Sequence, residues 1–373
     1  MNRLARRIQR IYLTLLLGNT LAASFIWGIN TLFLLDAGLT NLEAFAANAF
    51  FTAGMVIFEI PTGVVADTWG RRTSYLLGTI TLAASTFLYY VMWQVSAPFW
   101  AWAVVSVLLG LGFTFFSGAV EAWLVDALDH AEYQGSLETV FGRGQMVSGV
   151  AMLGGSVLGG VIAQVTSLGV PFLLRVGVLL AMFGVAYRLM KDLGFAPEPM
   201  TRPLGAMREV LVASLEHGLK NPPVRYVMLA APFAGGVGVY TFYALQPYLL
   251  ELYGDPQAYS VAGLAAAIVA GSQILGGYAA PRVRGLFRKR TTALILSGTV
   301  SAAILALLGL VGLFWLALVL LVLWGLVFAA EMPIRQAYLN DMIPSKQRAT
   351  VLSFDSLMDS SGGVVIQPVL GRG

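Results

Sequence analysis

Residues 42–72 read LEAFAANAFFTAGMVIFEIPTGVVADTWGRR, and the change of character along this stretch decides the fold. From Leu42 to Ala66 the run holds two carboxylates and no basic residue. At 1.5 Å rise per residue such a helix extends beyond the apolar layer of a bilayer, about 30 Å thick. The run then breaks into Asp67-Thr68-Trp69-Gly70-Arg71-Arg72, a turn that ends on two arginines. An apolar span that stops at a basic turn is the repeating unit of a polytopic membrane protein.

The rest of the chain repeats that unit. Hydrophobic residues fill 58% of the 373 positions and charged residues 11%, with a mean hydropathy of +0.77. A soluble domain is about 45–50% apolar and about 25% charged. Backbone in lipid must satisfy its own hydrogen bonds, so only helices or a closed barrel can span, and the long unbroken runs select helices. Apolar length and basic turns together predict eleven spans, near 11–35, 42–66, 73–96, 99–125, 136–164, 171–192, 225–251, 259–281, 291–311, 314–336 and 349–371.

The net charge of +4 is distributed with a clear polarity. Basic residues gather at Arg3, Arg6, Arg7 and Arg10, at Arg71 and Arg72, from Lys191 to Arg225, from Arg282 to Arg290, and at Lys346 and Arg348. The alternate loops near 36–42, 94–99, 165–172, 252–258 and 311–314 carry none. This positive-inside pattern places the N-terminus in the cytoplasm, in a membrane read as the bacterial cytoplasmic membrane, and explains the basic clusters without nucleic acid. The run from Ile11 to Leu35 is too long for the h-region of a signal peptide and reads as a first span that is kept. There is no cysteine, and the two histidines, His130 and His217, fall in separate polar segments, so no metal site and no cofactor are expected.

One extended polar stretch, Asp192 to Asn221, interrupts the spans. Within it Leu204, Met207, Leu211 and Leu215 recur at helical spacing opposite Arg208, Glu209 and Glu216, the pattern of an amphipathic surface helix. The chain therefore divides into a first membrane unit at 1–192 with six spans, a linker at 193–223, and a second unit at 224–373 with five. The units echo each other: Ala122-Trp-Leu-Val-Asp126-Ala-Leu after span four matches Ala337-Tyr-Leu-Asn-Asp341-Met-Ile after span ten, Phe141 matches Phe354, and Ser148-Gly149 matches Ser361-Gly362. Gly63-Val-Val-Ala-Asp67 corresponds weakly to Gly277-Tyr-Ala-Ala-Pro281, with Arg282 following. A six-plus-six plan is expected, with the twelfth helix absent from this chain and the sequence a piece of a longer one.

The stretch Gly63-Val-Val-Ala-Asp67-Thr-Trp-Gly70-Arg71-Arg72 resembles the signature loop between the second and third helices of the major facilitator superfamily. In that signature a basic residue follows the aspartate, and Thr68 stands here instead. The resemblance implies an all-α membrane protein of two six-helix halves that alternates access to a central path. It makes Gly63, Asp67, Gly70, Arg71 and Arg72, with Glu121 and Asp126 at the inner end of span four, a conformational latch. Read physically, Gly63 permits close helix approach, Asp67 can accept near a helix N-terminus and Gly70 makes the turn.

Gly142, Ala151, Gly155, Ser156, Gly159 and Gly160 in span five resemble the glycine motif of the drug:proton antiporter branch, with Ala151 and Ser156 in place of a glycine and the proline. Close helix packing accounts for the same small residues. The arginine this branch often carries in span four is replaced by Ser106, ahead of Gly110 and Gly112.

Asn19 and Asn30 are eleven residues apart and so return to nearly one helix face. With Trp27, Tyr240, Tyr243 and Gln246 they are the candidate lining of a substrate cavity. Intramembrane carboxylates are costly and hence functional candidates. Asp355 leads for proton coupling, followed by Glu59, Glu331 and Asp359, and Glu331 is expected to pair with Arg335 four residues on. No Walker loop, metal cluster or nucleophile elbow is present, so the chain is not expected to be an enzyme. The expected function is proton-coupled export of an amphipathic or drug-like small molecule by a monomer, with uptake, uniport or a non-transporting receptor as alternatives.

Overall fold

The computed structural model describes residues 3–116, 118–196, 205, 212, 215–343 and 348–372. They form thirteen α-helices: α1 (Arg3–Trp27), α2 (Asn30–Asp36), α3 (Asn41–Trp69), α4 (Arg71–Gln94), α5 (Phe99–Thr114), α6 (Ala119–His130), α7 (Leu137–Val165), α8 (Gly169–Leu189), α9 (Pro222–Tyr253), α10 (Tyr259–Gly285), α11 (Arg290–Leu308), α12 (Phe314–Met342) and α13 (Arg348–Leu370). Nine helical stretches among the described residues are long and apolar enough to cross a membrane, which makes this an integral membrane protein. Large apolar side chains such as Val104, Ile295 and Val319 are exposed within the helices, the surface a bilayer requires. Of the amphipathic helix expected in the linker, Leu204, Met207, Arg208, Glu209 and Leu211 lie outside the described residues, while Leu215 and Glu216 belong to a π-helical turn, Leu215–Leu219.

Two expected spans are broken. The first stops at Trp27 and resumes at Asn30, and the fourth stops at Thr114 and resumes at Ala119 behind Gly118, whose φ of +71° a β-carbon would strain. Other boundaries follow local chemistry. α3 starts at a capping box in which Thr40 and Glu43 each accept the other's backbone N–H, and Ser136 caps α7.

The first eight helices pack mainly among themselves, through α1 on α7 and α8, α3 on α5, and α4 on α5 and α8. The last five do likewise, through α9 on α13 and α12 on α10 and α11. Two broad contacts join the sets, α7 on α10 and α3 on α13. Each set has a packed core, and that of the first reaches across the junction to Leu250 of α9 and Ala262 of α10. In the first, Phe33 stacks on Phe172 with ring centroids 3.8 Å apart and meets Trp102 edge-on; in the second, Leu249, Leu321 and Trp324 are buried together.

The junction between the sets is tight at the end of the bundle opposite the 67–72 loop. Gln246 donates to the Trp27 carbonyl at 2.7 Å and accepts from the Thr31 amide at 2.8 Å, and Gln164 accepts from the Ser260 amide at 3.1 Å. Gln367 donates to Thr52 at 3.3 Å. Backbones nearly touch where Gly28, Gly160 and Gly263 meet: a β-carbon on Gly160 would stand 2.6 Å from the Tyr259 carbonyl, and one on Gly263 would stand 2.5 Å from the Ser156 carbonyl. In lipid, such small-residue contact is how helices associate. Gly263→Val should force this seal apart. A Thr31→Cys probe, silent to a maleimide in the parent background because Thr31 is fully buried, should then become reactive. Equal silence in both backgrounds would show that the seal tolerates the added side chain.

Candidate substrate cavity and loop latch

Beneath the seal lies a cavity of about 500 Å³ walled by both sets of helices. α1, α3, α5 and α8 contribute Trp27, Thr52, Phe113 and Arg175, α2 contributes Asn30, and α9, α12 and α13 contribute Tyr243, Phe328 and Asp359. An adjoining recess shares Trp27, Phe113 and Arg175 and reaches Asn19, Val120 and Glu121. The walls are chiefly apolar with a few convergent polar groups, the composition of a small-molecule site.

The expected lining residues separate. Trp27, Asn30 and Tyr243 line the cavity, Asn30 donating to Asn48 at 2.9 Å. Asn19 lines only the recess, where it accepts from the Tyr75 hydroxyl at 2.8 Å. The break at residues 28–29 explains why Asn19 and Asn30 do not share a site, since equal helical phase needs a continuous helix. Gln246 serves the seal instead. Tyr240 packs on Phe45 with centroids 4.9 Å apart and donates to the Leu370 carbonyl at 3.3 Å, so it too lies outside the lining.

The carboxylates also rearrange. Arg335 does not pair with Glu331; its guanidinium grips both oxygens of Asp355 at 2.7 Å each, from α12 to α13. Asp355 is thus neutralised where it was expected to carry protons. Asp359, one turn on, is the carboxylate on the cavity wall. Glu331 lies against Ser297 of α11, and Glu59 is half-buried on α3 away from the cavity lining.

At the other end, the loop at 67–72 is a network. Arg71 bonds Asp67 and lies 3.8 Å from Asp126, and its guanidinium stands over the Phe195 ring at 5.9 Å. Arg72 donates to the Tyr187 carbonyl at 2.6 Å and covers that residue's ring. Asp192 accepts from the Arg72 amide at 2.9 Å, capping α4 from the stretch just after α8. Burial raises the Asp192 carboxyl above its ordinary value, against the opposing pull of the Arg72 amide and the charges of Arg72 and Arg71. Glu121 is not part of this network. Five residues before Asp126, it sits on another face of α6 and looks into the recess. Gly63 is not a close-approach glycine either, because a β-carbon there would meet nothing within 4 Å.

Gly70 holds φ +101° and ψ +150°, a region reserved for glycine, and a β-carbon there would collide with the Asp192 carboxylate. Gly70→Ala should therefore lower stability by about 1–3 kcal/mol, read as a fall in the melting temperature of the purified protein. An unchanged melting temperature would mean that the turn relaxes freely.

The second set repeats the loop's ion pair. Arg290, the first residue of α11, bonds Asp341 near the end of α12, as Arg71, the first residue of α4, faces Asp126 near the end of α6. The repeat Ala122–Leu128 and Ala337–Ile343 thus delivers an aspartate to an arginine that opens a helix in each set, Arg71 in the first and Arg290 in the second.

The family model described as Major Facilitator Superfamily matches residues 11–366. The chain belongs to the Major Facilitator Superfamily. Among solved structures of similar fold is the nucleoside transporter NupG, 13% identical, covering 100% of this chain and 91% of that one at a TM-score of 0.78. A bacterial homologue of the human lysosomal transporter Spinster, inward-facing and unoccupied, is 16% identical over 99% and 82% at 0.73. The peptide transporter POT in complex with sulfate is 14% identical over 98% and 88% at 0.71. In sequence, an uncharacterised MFS-type transporter of Methanocaldococcus jannaschii is 24% identical over 200 residues, 52% of this chain. The match spans 48% of that relative, about half its length. Superfamily membership accords with the membrane-spanning helices of the fold.

Sequence reasoning missed three residues of the site. Arg175 and Asn48 stand on the cavity wall, and Asp192 caps the loop.

Proposed function

We propose that this chain is a secondary active transporter whose two helix sets rock about the cavity, moving an amphipathic small molecule outward in exchange for protons. The observation that carries the reading is the cavity itself: it is shared by both sets, sealed by glycine contacts at one end, apolar in its walls, and holds Asp359 on one side. The glycines of α7 support the seal more directly than an exchange-specific role. Gly155 packs on Ser24 and Gly160 on Gly263, so the fold uses them for approach between helices. Proton coupling therefore rests on Asp359, and the loop network at 67–72 on the cytoplasmic side acts as the latch of one access state.

Flux into proteoliposomes tests this. A pH gradient should drive accumulation of the transported compound and a protonophore should abolish it, whereas transport indifferent to the protonophore would make the protein a uniporter. Orientation has its own check, convenient because the chain lacks cysteine. A Thr68→Cys variant in intact cells should resist an impermeant maleimide, and labelling from outside would invert the arrangement.

A further inference from the structure

A cation without a counter-ion faces the cavity. Arg175 lies six residues into α8, about 9 Å from its Gly169 end, and is only 7% exposed. It borders both the cavity and the recess. The ion pairs among the described residues, Arg71 with Asp67 and Asp126, Arg290 with Asp341 and Arg335 with Asp355, leave it out. Its buried Nε meets no acceptor. The charged groups on the same walls are Asp359 in the cavity and Glu121 in the recess, and neither is within ion-pair distance of it. Its near polar company is the phenols of Tyr243 and Tyr89.

Holding an unpaired guanidinium away from water and lipid headgroups costs several kcal/mol. A planar fork of donors recognises carboxylate, sulfonate or phosphate oxygens two at a time. Around it, Ile26, Trp27, Phe51, Leu109 and Phe242 offer apolar surface to the rest of a ligand. We infer that Arg175 anchors the anionic group of the substrate, so that the transported molecule is an organic anion with an apolar or aromatic body. The inference rests on the transport reading above and names the substrate class for that same cavity.

The test uses the full chain in nanodiscs of neutral lipid, with 2-naphthalenesulfonate and its uncharged analogue 2-naphthalenesulfonamide as calorimetric probes. The sulfonate should bind at least about tenfold more tightly. Arg175→Met should erase that preference and Arg175→Lys should keep part of it, so the lysine variant decides the matter if the methionine variant fails to fold. Equal affinity for the two probes, a preference untouched in Arg175→Met, or no sulfonate binding at millimolar concentration would each overturn the proposal. Repeating the titration with phosphatidylglycerol in the nanodisc separates a soluble anion from a lipid headgroup. Loss of sulfonate binding there would assign Arg175 to lipid and remove it from substrate recognition. Flux separates this inference from the one beneath it: movement of the sulfonamide independent of residue 175 leaves a transporter without an anion anchor, whereas no flux of either probe removes transport as well.

Discussion

Asp355→Ala should destabilise the protein by about 3–5 kcal/mol, the loss expected when one member of a buried ion pair is removed and the other charge stays behind. The pair is well placed to show it. Arg335 and Asp355 have side chains 16% and 7% exposed and make two parallel bonds at 2.7 Å. They tie α12 to α13. The penalty belongs mostly to the stranded guanidinium rather than to the bond, so the double variant Arg335→Met with Asp355→Leu should recover most of the stability. Thermal unfolding of the parent, Arg335→Met, Asp355→Leu and the double variant in one detergent closes the cycle. If Asp355→Ala melts within a degree or two of the parent, Arg335 has found water or another acceptor and the pair is not structural.

This pair also shows where the sequence was legible and where it was not. Apolar length and basic turns place the expected spans, and each falls on a helix or, in two cases, on a pair of helices either side of a break, while nine helical stretches among the described residues are long and apolar enough to cross a membrane. Gly118 could have signalled the second break, but the first, at Gly28 and Ile29, sits in a run as apolar as its surroundings. Partners are harder. Four residues separate Glu331 from Arg335 and twenty separate Arg335 from Asp355, so helical spacing points to the first pair, while the packing of α12 on its neighbours turns the guanidinium to the second. Long side chains of this kind choose among several acceptors within reach, and only the tertiary arrangement selects one.

Arg175 was hidden for the opposite reason. It is a single base inside Val170-Pro-Phe-Leu-Leu-Arg-Val-Gly-Val-Leu-Leu, and the averaging that reveals the span conceals the one residue that does not belong to it. A cation in the middle of an apolar run is itself the signal, because lipid would otherwise exclude it. The seal lies deeper still. Gly28, Gly160 and Gly263 come from the α1–α2 break, α7 and α10, far apart in the chain, and nothing local marks them as partners among 41 glycines.

Asp359→Asn should abolish uphill transport while leaving substrate binding within a few-fold. With Asp355 held by Arg335, Asp359 is the carboxylate of α13 left on the cavity wall, and it is half-buried there. An ionised carboxylate in that position carries an unpaired charge beside apolar side chains, and protonation removes the cost. The two forms therefore favour different surroundings: the charged one a wetted cavity, the neutral one a closed one. Such a difference is what lets a proton gradient bias an equilibrium between access states, since a ligand shifts conformations only through unequal affinity for them. For one proton exchanged per substrate, a gradient of two pH units supports roughly hundredfold accumulation, at about 1.36 kcal/mol per unit. The amide cannot take up the proton, so accumulation in proteoliposomes should fall to equality across the membrane while downhill exchange continues. Gly235 packs against the Asp359 side chain so closely that a β-carbon would stand 2.6 Å from it. Gly235→Ala should accordingly displace the carboxylate and lower coupling without removing it. Wild-type accumulation by Asp359→Asn would clear this residue of the role, and the same result for Glu331→Gln and Glu59→Gln would leave a carrier that moves its substrate only down its own gradient.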